Sequence, residues 1–158
     1  MNWQKQSFSQ RLENAALVVL FLPFVLPLVL LAIIFHILYR TTLYLLVWVI
    51  WLPGGKDILL VYSDSPIWHE YMATHVLPLV QERAVVLNWS ERKKWSKKSL
   101  AVSIFYSFAG DREFNPLVIV FRLLRPALIL RFWPAFKDRK HGRTESVERL
   151  REKLLLAL

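Results

Sequence analysis

Apolar and polar positions divide this chain at residues 53–56. Ahead of that point, Ala15 to Phe35 holds no charged residue and no glycine, and the run continues with few interruptions to Leu52. Beyond it, apolar residues come in short runs separated by turn residues and charge. An uncharged stretch of this length predicts a bilayer-crossing helix, because about 20 helical residues span a ~30 Å hydrocarbon core. The 38 residues from Ala15 to Leu52 would extend ~57 Å as one helix, too long for a single upright span. Pro23 and Pro27 weaken the helix, and His36, Arg40, Thr41 and Thr42 interrupt the apolar run. Arg40 at mid-bilayer would cost roughly 2.5–3.5 kcal/mol, so it belongs at an interface. The preferred arrangement is a polar tail over 1–14 and an anchor over 15–55. The anchor is a kinked transmembrane span over 15–38 followed by a shorter embedded or re-entrant helix over 43–52. A two-span hairpin is the alternative. The run is too long for a signal-peptide core and has no A-x-A-like site after it, so it reads as retained.

Pro53-Gly54-Gly55 ends the anchor, and the patterning of 56–158 predicts a small α/β domain. Short apolar runs at 57–63, 84–89, 117–121 and 128–133 predict strands, the last two paired as a hairpin. Trp68, Met72, Val76, Leu79 and Val80 mark a helix over 66–82, capped by Asp64 or Ser65 and bent at Pro78. Residues 100–108 read as a helix from the spacing of Leu100, Ala101, Ile104, Phe105 and Phe108. Residues 137–143 read as a basic loop. Val147, Leu150, Leu154 and Leu158 mark a terminal helix over 144–158.

Charge changes the picture of what surrounds this domain. From Lys56 onward there are 18 Lys and Arg against 11 Asp and Glu, a net +7. A basic domain tethered beside a bilayer is attracted to anionic lipid. Arg92, Lys93, Lys94, Lys97 and Lys98, with Trp95 among them, form the densest candidate lipid-binding block, and Lys137, Arg139, Lys140 and Arg143 form a second. Nucleic acid is the disfavoured polyanion, since the anchor supplies a nearer one. Cysteine is absent, which excludes disulfides, thiolate metal sites and thiol redox chemistry within the chain.

Candidate chemistry gathers at the end of the first strand: Ser63, Asp64, Ser65, His69, Glu70 and His75. The C-terminal edge of an open α/β sheet is where ligand groups collect. His69 and His75 are six residues apart, ~120° around a helix, so they do not face one metal ion. His75 is expected over Trp68, as a core or interface histidine. Asp64, His69 and Glu70 are the candidates for acid–base catalysis. No phosphate-binding glycine loop, nucleophile elbow or H-E-x-x-H motif is present.

The order β-α-β-α-β-β-α over 56–158, with Asn115-Pro116 entering the third strand, resembles the thioredoxin-like fold. Asn115-Pro116 looks like that family's cis-proline loop. Ser65-Pro66-Ile67-Trp68-His69 falls where the family carries its Trp-Cys-x-x-Cys site, with both cysteines missing, so the resemblance implies the fold without the redox activity. A small Rossmann-like or TIR-like domain is the alternative. The reading is therefore a membrane-anchored, non-redox interaction or accessory module. It lies on the cytoplasmic face, needs no cofactor and is partnered by anionic lipid and another membrane protein. The alternative is a membrane-bound enzyme using the 63–70 edge on a phosphate-bearing or lipid-linked substrate.

Overall fold

The computed structural model describes residues 8–110 and 115–158. Residues 1–7 of the expected tail lie outside the described residues, as do residues 111–114. The chain divides into two compact units, Met1–Tyr39 and Arg40–Leu158.

A helix, α1 (Phe8–Leu46), carries Pro23 and Pro27 inside it. It starts within the expected polar tail. Among the described residues, one helix is long and apolar enough to cross a membrane, by length and composition. Its side chains from Leu20 to Tyr39 are exposed.

The second unit corrects the expected break between the span and the helix after it. The helix does not stop between 38 and 43; α1 continues to Leu46 and passes into a π-helical turn, Val47–Trp51. Leu43, Val47 and Trp51 are buried in a cluster with Leu59, Val61, Leu117, Ile119 and Phe121 of the sheet. The spacing of four puts these three on one stripe, and that stripe packs on protein. The greasy composition of 43–52 therefore serves the domain core on one side.

The sheet has four strands, β1 (Ile58–Tyr62), β2 (Ala84–Asn88), β3 (Leu117–Val120) and β4 (Leu128–Arg131), in the order β2-β1-β3-β4. β1 and β2 are parallel, with Tyr62 opposite Asn88. β1 and β3 are antiparallel, with Ile58 opposite Val120, and β3 and β4 form the expected antiparallel pair. β1 and β3 are buried along almost their whole length, because helices cover both faces. One face carries 43–51 and α3 (Leu100–Phe108), a helix where the apolar spacing predicts it. The other carries α2 (69–80), α4 (Trp133–Lys140) and α5 (Glu145–Leu155).

Two helices differ from expectation. α2 begins at His69, and its N-cap is Trp68, which makes no side-chain capping bond. The turn before Pro78 is π-helical over Met72–Val76, a wide turn next to the missing proline N–H. Widening shifts the stripe: Tyr71 is buried and Leu77 packs on the core, while Leu79 is exposed. α4 replaces most of the expected basic loop. Phe132 and Phe136, four apart, are fully buried, Phe136 N–H donates to Phe132 O at 2.9 Å, and Pro134 stands in the first turn.

Candidate functional site

The sheet register places two groups of loops at its opposite ends. β1 and β2 run side by side, so Ser63, Asp64 and the segment after Asn88 share one end. Asn115 precedes Leu117, which pairs with Val61, and so joins them. This is the edge end. Lys56, which precedes β1, and the β3–β4 loop lie at the other, because Ile58 pairs with Val120 and Val120 with Leu128. Four residue steps of strand separate the two ends by ~13 Å.

At the edge end, Ser63 is the one buried polar residue of the described core. Its hydroxyl oxygen accepts from Trp68 Nε1 at 3.1 Å and from Asn115 Nδ2 at 3.0 Å. Asn115–Pro116 is a cis peptide. Trp68 packs edge-on against Trp133 at 5.1 Å between centroids, which ties the site to α4.

A second polar group surrounds Asp64. Asp64 N–H donates to Ser90 Oγ at 3.0 Å, Asn88 Nδ2 donates to Asp64 Oδ1 at 2.9 Å, and Ser90 N–H donates to Asn88 Oδ1 at 2.9 Å. His69 Nδ1 lies 3.7 Å from Asp64 Oδ1, with the imidazole 5.7 Å from the Tyr62 ring. That distance is too long for a hydrogen bond and suits an ion pair when the imidazole is protonated. His69 Nδ1 and Asn115 Oδ1 are buried and have no hydrogen-bond partner among the described residues.

Neither Asp64 nor Ser65 caps α2. Asp64 is held by β2's outgoing loop, and Ser65 Oγ lies only within 3.5 Å of Ile67 N. Glu70 is exposed. His75 is exposed and stacks on Tyr71 at 4.7 Å, not on Trp68. Tyr71 O–H in turn donates to Glu148 Oε1 at 2.9 Å; burial and then this carboxylate push its pKa up to about 12. Among the described residues no group of three His, Cys, Asp or Glu converges on a point.

The basic block begins in a 3-10 turn, Trp89–Lys94, that stands at the edge end. Arg92, Lys93, Lys94, Lys97 and Lys98 are exposed. Lys94 Nζ donates to Glu91 Oε1 at 2.8 Å, which raises its pKa, and Arg92 lies over the Trp89 ring at 4.9 Å. Trp95 is half-buried, 5.6 Å from Trp89 and 5.5 Å from Phe105, so its ring covers the core. In the second patch, Arg139 stacks on Tyr71, Lys137 on Trp133, and Arg143 pairs with Asp138 at 3.3 Å.

Sequence reasoning grouped Ser63 with Asp64 and His69 but did not find the Ser63–Asn115 bond, which spans 52 residues. Nor did it find the Asp57–Arg83 pair at the other end of the sheet. Comparison of the chain with protein-family models, with curated proteins and with solved structures gives no match in any of the three.

Proposed function

We propose that this chain is a membrane-anchored, redox-inactive domain of thioredoxin-like type that acts as an interaction or accessory module, with the domain on the cytoplasmic face. The observation that carries the reading is the edge end. The strand order β2-β1-β3-β4 brings Asn115-Pro116 beside the residues that follow β1, and a Ser63–Trp68–Asn115 hydrogen-bond cluster fills that place. No thiol is available there to exchange electrons. Arg40 and Lys56, which flank the anchor's C-terminal side, support the cytoplasmic placement by the positive-inside rule.

The partner is another membrane protein that docks on the edge end, beside Ile67, Asp64 and the exposed cations of 92–98. Carbonate extraction of native membranes followed by photo-crosslinking tests this. A crosslinker at Ile67 or Lys93 should give one discrete membrane-protein adduct. Recovery of the chain in the detergent-free soluble fraction would discard the anchor, and absence of adducts from both positions would discard the module.

A second reading rests on the Asp64–His69 approach of 3.7 Å. The carboxylate would steady a protonated imidazole acting as general acid on a phosphate-bearing or lipid-linked substrate drawn in by the neighbouring lysines. His69→Gln, without effect on the adducts, would abolish turnover.

A further inference from the structure

The anchor end of the sheet carries a cleft that the edge-end reading leaves unused. It is open to the surface, has a volume of about 440 Å³ and is lined by Arg40, Tyr44, Trp48, Phe108, Leu124 and Arg125, among others. Its chemistry is two guanidinium groups above a mainly apolar wall. Arg40 lies over the Phe108 ring at 4.3 Å, which fixes one cation at the wall. Tyr44 O–H donates to the Arg122 carbonyl at 2.6 Å and also approaches that of Arg125, tying the β3–β4 loop to the end of α1. Arg122 Nη2 donates to the Pro126 carbonyl at 2.9 Å and closes the loop on itself.

The loop tip is unusual. Leu123 is 61% exposed and Leu124 85% exposed. Leu124 also has φ +56°, a left-handed conformation that glycine or asparagine adopts far more readily. Nothing about a water-facing turn calls for a leucine there. An observed backbone outlier with a large apolar side chain at an open cleft is a reason to look for what the side chain touches.

We infer that this cleft holds an anionic phospholipid of the bilayer into which the anchor inserts. Arg40 and Arg125 take the phosphate, Tyr44 and Trp48 line the carbonyl level, and Leu123 and Leu124 enter the acyl region. Three observations converge. Arg40 follows the apolar run directly in sequence, so a bilayer surface lies within a turn or two of it. The cations match the headgroup charge. Tyr and Trp beside Arg is the side-chain set of a membrane–water boundary. The Arg92–Lys98 block stands at the other end of β2. The inference rests on the membrane-anchored reading and moves the lipid contact from that block to the β3–β4 loop.

The test is a titration of the full chain, in mild non-ionic detergent, with short-chain phosphatidylglycerol, the bound lipid counted by native mass spectrometry. One phosphatidylglycerol should be retained more tightly than phosphatidylcholine. Arg40→Gln with Arg125→Gln should weaken it about 25-fold, roughly fivefold per arginine. Leu124→Gly should weaken it while leaving thermal unfolding unchanged or raised, since glycine relieves the left-handed backbone; this separates binding from folding. Replacing Arg92, Lys93, Lys94, Lys97 and Lys98 by Gln should leave it unchanged. Equal binding by wild type and the double-arginine variant overturns the inference. Competition by glycerol phosphate as strong as by phosphatidylglycerol overturns the lipid assignment in favour of a free anion. A membrane-extracted chain with a flat titration sinks the cleft alone, whereas a chain recovered without detergent sinks the membrane reading and the bilayer source with it.

Discussion

The two ends of the sheet solve the same structural problem, closing loops over exposed strand termini, with different chemistry. At the edge end, short polar side chains bond one another: Ser63 with Trp68 and Asn115, Asp64 with Asn88 and Ser90. At the anchor end, a tyrosine hydroxyl and an arginine bond backbone carbonyls, and large apolar side chains stay outside the core. Val49, Ile50, Leu123 and Leu124 are all exposed there. The contrast is one of chemistry, polar side chains bonded to one another at one end and exposed apolar side chains at the other, and the proposals above assign it to a protein partner and a lipid respectively.

The sharpest way to break the comparison uses two valines in one turn. Val47 is fully buried and Val49 is 71% exposed. Val47→Asp buries an unpaired carboxylate and should cost on the order of 4 kcal/mol. Val49→Asp should cost under about 1 kcal/mol. Thermal unfolding of the full chain in detergent reads both. The reverse order would return residues 43–52 to the bilayer as an embedded helix.

Ser63→Ala comes next in size. It leaves Trp68 Nε1 and Asn115 Nδ2 without their acceptor, for roughly 2–4 kcal/mol in total. Trp68→Phe removes one of the two orphaned donors, so the double substitution should cost less than the sum. Additive losses in urea unfolding would show that the cluster does not act as a unit.

Alkaline pH should loosen the helical face that packs beneath the edge end. The Tyr71 phenol is held neutral in the folded chain, its pKa about 12 against the ordinary 10.0. Between these values the unfolded chain binds fewer protons than the folded one, so stability falls as pH rises through that window and is unaffected below it. Tyr71→Phe should lack this loss while keeping the ring contacts. An identical slope in the variant would place the transition elsewhere.

The smallest effect is expected at the surface pair of the basic block. Lys94→Gln breaks its bond to Glu91 between two exposed side chains and should leave thermal unfolding unchanged within error, as solvent screens such pairs. A measurable drop would mean that the block is part of the fold.

Much of the domain was legible along the chain. The four strands appear where short apolar runs are bounded by turn residues, and α3 appears where its spacing predicts it. α4 was hidden because four charges over 137–140 outweighed the Phe132–Phe136 pair in the reading. The stripe of 43–51 that packs on the sheet was hidden for a simpler reason: lipid and a protein core select the same side chains, and composition does not tell them apart. His75 was misplaced because an ideal 100° rotation ignores the wide turn at 72–76.

Of the candidate site, the β1 terminus was legible because an apolar run breaks there into Ser63-Asp64-Ser65. Asn115, as Ser63's partner, was not, since only the pairing of β3 with β1 brings residues 52 apart into contact.

From its sequence alone, the chain is determined to hold a long apolar N-terminal run, a basic α/β remainder and no thiol, because these are properties of composition and local periodicity. The tertiary structure alone decided that 43–51 packs on the sheet, that Ser63 meets Asn115, and that Arg40 and Arg125 share a cleft. Those are contacts between distant residues, and their existence depends on strand order and register, which no local pattern encodes.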